Sequence, residues 1–454
     1  MKKRARSLGA VILVTGLVAL AGCSAAESGG DDDGSVTITI GNLPSTEQAA
    51  SRDAILAQIK AFQKKYPDIT VEAEETYWDP ATFNAMVAGG TMPTVLTVPM
   101  TEIQSLGQRG QIADISAEVS ASETLSALNP TIMTTVTGPE DEIFGIPINV
   151  YSQGLMFNRA IFEEAGLDPD APPTTWVEVA SAAKTITDKT GVPGLVLMTS
   201  GNLGGWTLTG MTYAFGDLME TSEDGTPVAN VDNDSAIAAL EFIQDARWKD
   251  NSLGANFIMT SDDSRNEFGA GRAGIVISGT DLYGDSVVNR GMDPQDFGLA
   301  PMPQAEGGLG ALGGGNVQVV SATASAEQRD AATKWIDFAQ IARFTDEDQA
   351  VAAAKAESAD GLPVGAPGLP LVGADLFAQY NEWIAPYVNV PTENFELYAS
   401  TVETIPLVPE PSQHAQELYA ALDPVVQAVL TREDADIRAL LGDVQTQMET
   451  LLAD

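Results

Sequence analysis

The sequence predicts an α/β protein, on three observations. Residues Val36 to Ile40 alternate apolar and polar side chains, the period of a half-buried strand. A helical stripe follows, in which Ile55, Ile59, Phe62 and Tyr66 recur at spacings of 4, 3 and 4. Ile69 to Glu72 then reads as a second strand, and strand, helix and strand make a βαβ unit, whose strands must be parallel.

Each later element repeats this logic. The polar stretch Gly41 to Glu47 turns the first strand into its helix, and Val95 to Val98 reads as a short buried strand. A helix is expected from Thr101 to Arg109, stopped by Gly110 at its C-terminus. Ala273 to Ser278 and Val317 to Ser321 read as strands. Ala236, Leu240 and Ile243 make one helix face, and Ala331, Trp335 and Phe338 make another, which Ser325 and Gln328 open with the spacing of a capping box. Two amphipathic helices end the chain, one lined by Leu418, Leu422, Val425 and Val429, the other by Ile437, Leu441, Val444, Met448 and Leu451.

The N-terminus sets the compartment. Lys2, Lys3, Arg4 and Arg6 precede an uncharged apolar run from Leu8 to Leu20, the pattern of a secretory signal and too short for a comfortable membrane span. Residues 1–22 are therefore expected to be removed. The run ends in Leu20-Ala21-Gly22-Cys23, which resembles the lipobox of bacterial lipoproteins. Cys23 is the only cysteine, so it has no internal disulfide partner, and a diacylated Cys23 is the expected membrane anchor. Residues 24–35, with Asp31 to Asp33, read as a flexible, self-repelling tether rather than a cation site.

Composition excludes whole classes. The chain carries 63 acidic against 23 basic residues, and the leader removes only basic ones. Such a surface repels phosphate backbones and anionic headgroups, so nucleic acid is not an expected partner, and the membrane is one only through the lipid. A length of 454 residues exceeds what one core organises, so two domains are expected.

From Gly145 onward the chain resembles a known family. Gly145-Ile146-Pro147, Gly154-Leu155-Met156-Phe157-Asn158-Arg159, Phe162 with Ala165-Gly166-Leu167, and Pro172-Pro173-Thr174-Thr175-Trp176 occur in an order similar to that of family 1 extracellular solute-binding proteins, the maltose-binding-protein-like receptors of sugar ABC importers. Phe268 with Gly271-Arg272-Ala273, Phe297-Gly298, Ala300 to Pro303 and Gly313-Gly314-Gly315-Asn316 extend the likeness to about residues 36–440. The resemblance implies a periplasmic-binding-protein-like α/β fold of two discontinuous lobes joined by hinge crossings. Lobe 1 is expected at 36–146 plus 316–372 and lobe 2 at 147–315 plus 373–454, with crossings near Pro147 and at the glycine run. It also implies a monomer that takes a sugar or oligosaccharide between the lobes and hands it to permease transmembrane subunits. Receptors for another polar solute, a polyol or glycerophosphodiester, form the nearest alternative.

Catalytic chemistry is hard to find in this sequence. His414 is the only histidine and has no nucleophile or metal-ligand companion in its pattern, so it reads as exposed or capping. The run Gly313 to Asn316 lacks the Lys-Ser/Thr ending of a phosphate loop. No cofactor, metal or catalytic residue is expected, although a glycosidase's paired carboxylates could sit among the acids.

A sugar needs aromatic faces for its apolar side and polar groups for its hydroxyls. Trp78, before the turn-forming Asp79-Pro80, and Trp206, beside Gly204 and Gly205, are candidate platforms, with packing the competing role. Trp176, behind two prolines at a helix start, reads as core. Tyr151 stands just past the Pro147 crossing. Tyr283 follows the strand ending at Gly279, and Asp281 between them is a candidate hydroxyl acceptor. In the first lobe, Asn42, Thr46 and Glu47 fill the loop after the first strand, and Thr101 and Glu102 start a helix, where capping is the alternative for Thr101. Thr94, after Pro93, reads as structural. Gly314 and Asn316 at the second crossing complete the candidate set. The sequence leaves open whether Trp383 and Tyr387 reach the cleft.

Overall fold

The computed structural model describes residues 35–223, 226–401 and 405–453. The signal segment and Cys23 lie outside these residues. The first strands form as expected: β1 (Val36–Ile40), β2 (Ile69–Ala73) and β3 (Val95–Pro99), with helix Ala49–Lys65 between β1 and β2. β1 pairs in parallel with both β2 and β3, as a βαβ unit demands. The expected helix after β3 is shorter, because its first turn, Met100–Glu102, is 3-10 and the α-helix covers Ile103–Gln108.

The rest of the sheet is built on two long strands. These are β4 (Ile146–Asn158) and β10 (Ala311–Val320), joined by the shorter β5 (Leu195–Val196), β8 (Ile275–Gly279), β9 (Phe297–Pro301) and β11 (Leu407–Pro409), while β6 (Glu220–Glu223) and β7 (Thr226–Ala229) make a separate hairpin. The main sheet runs β2-β1-β3-β10-β4-β8-β5, with β11 beside β10 and β9 beside β4. β10 pairs antiparallel with β3 over Asn316 to Val320 and parallel with β11 over Ala311 to Gly313. Its pairing with β4 shifts register between Asn316 and Val317. The glycine run therefore lies inside a strand rather than in a connecting loop.

Two apolar cores lie along this sheet. Ile38, Phe62, Val95 and Trp335 pack in the first, with Leu96, Val98 and Val317 on the other sheet face. Leu155, Phe157, Trp176 and Leu422 pack in the second, with Met156, Val276 and Phe297 opposite them. The alternation of Leu155, Met156 and Phe157 across the two faces is the period-2 geometry of a strand buried on both sides. Trp176 is a core residue, as its sequence context suggests, stacked on Phe215 at 5.2 Å and edge-on to Phe242 at 5.1 Å. Ser325 and Gln328 form the expected capping box.

Helix Ala374–Ile384, assigned from sequence to the second lobe, packs Tyr380 and Ile384 into the first core. Val388 touches both cores and Val390 belongs to the second side. The helix presents a single apolar face, and Tyr380 on that face meets Phe344 at 4.9 Å between ring centroids.

Candidate functional site

A cleft of about 710 Å³ opens where β4, β8 and β10 meet two helices, Leu203–Phe215 and Ala415–Thr431. The central strands set its floor. Asn149 on β4 accepts from the Asn316 backbone N–H at 2.9 Å and from its side chain at 3.1 Å, which pins the register shift. Two residues on, Tyr151 meets Trp206 with ring centroids 6.3 Å apart and planes tilted by 58°.

Trp206 sits on the helix Leu203–Phe215, with Gly204 and Gly205 in its first turn. The helix comes close to its neighbour at Gly205, where a Cβ would lie 2.3 Å from the Tyr419 carbonyl oxygen. Asp423, buried within the neighbouring helix, accepts from the backbone N–H of Asn202 at 2.8 Å and of Gly205 at 2.9 Å. It thereby satisfies N–H groups that a helix start leaves unpaired, and its charge suits the positive end of the helix dipole. This capping from a distance fixes where Trp206 points.

Glu410 completes the floor. It accepts from the Tyr419 hydroxyl at 2.9 Å, and the Trp206 indole N–H favours its charged form. No cation pairs with it among the described residues, and burial pushes its carboxyl up to about 7, against the pull of the Tyr419 hydroxyl and the Trp206 N–H. Burial, then the charges of Glu410 and Asp281, also raises the Tyr151 hydroxyl, which stays a neutral donor. A Cβ on Gly314 would come 2.7 Å from both the Tyr151 hydroxyl and the Glu410 carboxylate, so only glycine lets these two side chains cross the strand.

The raised carboxyl gives a signed prediction. The folded chain holds the Glu410 proton more tightly than the unfolded chain, so the stability from this group is complete below about 4.5 and is lost as pH rises through about 7. Paired melting curves of wild type and Glu410→Gln between pH 5 and 8 should show wild type losing stability relative to the variant. Parallel curves would remove the argument for a desolvated carboxyl.

Arg265 is the single cationic side chain lining the cleft among the described residues. Its guanidinium pairs with Asp281 at 2.8 Å and lies 3.7 Å from Asp285. The site is therefore rich in neutral donors and acceptors and has no free positive charge.

Of the sequence candidates, Thr101, Tyr151, Trp206, Asp281 and Asn316 line this cleft. Trp78 and Glu102 line an adjoining cavity of about 310 Å³ that shares Thr101 and Gln416 with it. Four candidates lie elsewhere. Tyr283 is 1 % exposed and packs edge-on against Phe297 and Phe395, which makes it core. Asn42 adopts φ 62° and accepts from the Thr97 N–H at 2.9 Å, a turn-holding role. Thr46 and Glu47 are exposed and border neither cavity. Trp383 and Tyr387 pack on the first core. His414 stands at the N-cap position of its helix without a capping side-chain bond. Glu410, Tyr419 and Arg265 escape sequence reading. The one local hint is Glu410 between two prolines, an extended stretch whose acid cannot turn inward into a helix.

A model of the bacterial extracellular solute-binding protein family matches residues 45–340. Over 134 residues the chain is 31% identical to the sn-glycerol-3-phosphate-binding periplasmic protein of Rhizobium meliloti, a match covering 30% of this chain and 26% of that protein. It is 26% identical over 174 residues to the melibiose/raffinose/stachyose-binding protein of Bacillus subtilis, 38% of each chain. These matches span well under half the length of either relative. In three dimensions the chain is similar to the sugar-binding protein MalE of Xanthomonas citri, with a TM-score of 0.71 at 16% identity over 92% of this chain and 98% of the other. That likeness speaks to the two-lobed α/β fold.

Proposed function

Because the chain belongs to the bacterial extracellular solute-binding protein family, we propose that it captures a neutral sugar in the cleft floored by Tyr151, Trp206 and Glu410 and delivers it to the permease of an ABC importer. The observation that carries this reading is the pairing of two aromatic rings with a carboxyl and hydroxyls that have no cation among them. Aromatic faces cover the apolar side of a pyranose, and Glu410, Asn316 and Tyr151 exchange hydrogen bonds with its hydroxyls. Phosphate is a poor fit, because Arg265 is already committed to Asp281 and Asp285. Ligand touching both walls favours the closed arrangement of the lobes, and the permease recognises that form. The bound sugar leaves chemically unchanged.

Thermal-shift measurement against sugars, polyols and glycerophosphodiesters tests the ligand class. Neutral sugars should raise the melting temperature, by mass action on the folded state. Stabilisation by glycerophosphodiesters alone would overturn the reading.

The working location is extracytoplasmic, and we assign the anchor to a lipid on Cys23. Among the described residues no helix is long and apolar enough to cross a membrane. Cys23→Ala should release the exported protein from the membrane fraction into the soluble one. A variant that sediments with membranes as wild type does would rule the anchor out.

A further inference from the structure

Asp281 stands between β8 and the short helix Leu282–Gly284, at the N-cap position, yet its side chain makes no capping bond. Its carboxylate turns back over the strand end instead. A Cβ on Gly279 would come 2.5 Å from its Oδ1, and its Oδ2 accepts from the Arg265 guanidinium at 2.8 Å, its one side-chain hydrogen bond among the described residues. We propose that Asp281 sets the charge of the ligand: its carboxylate fills, on Arg265, the seat that the carboxylate of a sugar acid would otherwise take, and so keeps the cleft for uncharged sugars. This inference rests on the sugar reading of the cleft and deepens it.

The two acids beside Arg265 are not equivalent. Asp285, 18 % exposed, accepts from Arg290 Nε at 2.7 Å and from the Asn289 amide at 3.0 Å, whereas Arg265 lies 3.7 Å away. Asp285 is thus committed to Arg290. Ser261 accepts from Arg265 Nε at 3.2 Å and supplies no charge, so Asp281 is the close counter-ion. Asp281 is 56 % exposed and lines the cleft together with Arg265 and Tyr151. An ion pair so open to water contributes little to folding stability. Its effect on a ligand is larger. The cluster sets Arg265 and Arg290 against Asp262, Asp281 and Asp285, so an incoming anion meets an excess of negative charge and a guanidinium already occupied. Loss of Asp281 alone balances the cluster and turns Arg265 Nη2 toward a ligand. A carboxylate suits that donor, because it repeats the group removed and makes a charge-assisted hydrogen bond. The ion pair also borders the aromatic platform: the Cβ position that lies 2.5 Å from Asp281 lies 3.4 Å from the Tyr151 ring. One ligand can therefore rest its ring on Tyr151 and place a carboxylate on Arg265.

Calorimetric titration with glucose and glucuronate, galactose and galacturonate, and maltose and maltobionate tests the inference. The titrations are run at low salt and about pH 6, where the Glu410 carboxyl, pushed up to about 7 by burial, is largely protonated and repels neither member of a pair. In at least one pair wild type should favour the neutral sugar by about tenfold or more. Asp281→Ala should shift that ratio about tenfold toward the acid, and Asp281→Asn, which keeps the shape and drops the charge, should shift it in the same direction. Arg265→Gln combined with Asp281→Ala should cancel the shift. Asp262→Asn removes a negative charge from the same cluster but leaves Arg265 paired, and should shift the ratio far less. An unchanged preference in both Asp281 variants, a shift that survives loss of Arg265, an equal shift in Asp262→Asn, or a wild type that binds the acids as tightly as their neutral partners would overturn the role of Asp281 while leaving the sugar reading intact. Failure of every compound to bind wild type and variants alike would overturn both.

Discussion

Trp206→Ala should weaken sugar binding about a hundredfold, roughly 3 kcal/mol, the size of loss seen when a buried aromatic anchor is truncated. The side chain does two things at once. Its ring, 7 % exposed and 6.3 Å from that of Tyr151, is half of the aromatic platform. Its N–H is one of two groups that favour the charged form of Glu410. Alanine removes the face and leaves the Tyr419 hydroxyl as the neighbour that favours the Glu410 carboxylate, so Glu410 holds its proton more firmly. Trp206→Phe keeps most of the face and loses the donor, and should cost about tenfold, roughly 1.4 kcal/mol. Calorimetry on the two variants separates the contributions. Wild-type affinity in Trp206→Ala would move the sugar out of this cleft.

Gly205→Val should destabilise the fold by about 3 kcal/mol or more, since overpacking at a rigid contact cannot relax cheaply. A Cβ at this position would lie 2.3 Å from the Tyr419 carbonyl oxygen and 2.4 Å from its Cα. Those are backbone atoms in the middle of a helix, so the two helices themselves must separate. Trp206 rides on one and Tyr419, which donates to Glu410, on the other, so the cleft floor is built across this contact. Affinity should therefore fall with stability, whereas Trp176→Ala, which empties a core site that lines neither cavity, should lower stability and leave affinity nearly unchanged. Urea unfolding combined with calorimetry reads both quantities. A Gly205→Val protein as stable as wild type would contradict the close packing of these helices.

The sequence makes the α/β class legible because strand and helix periods are local. β1, its helix and β2 follow from apolar spacing alone, and the capping box at Ser325 is a three-residue pattern that needs no tertiary partner. Trp206 was harder for a physical reason. Gly204 and Gly205 give no local helix signal because glycine weakens helices, yet here the missing side chains admit a neighbouring helix, a contact over 200 residues away in sequence. Tyr283 illustrates an ambiguity of strand ends, where an aromatic residue can face the cleft or the core, and Phe297 and Phe395 decide for the core. Glu410 is one acid among 63, and only the pairing of β11 with β10 brings it under Tyr151.

The central claim is that the cleft binds a neutral sugar rather than a phosphate ester. Titrating the soluble mature chain with neutral saccharides and with sn-glycerol 3-phosphate, in the same buffer at the same salt, tests it most directly. The account predicts one-to-one binding of a neutral saccharide and no measurable heat from the phosphate ester. Tight binding of sn-glycerol 3-phosphate with no response to any saccharide would contradict it.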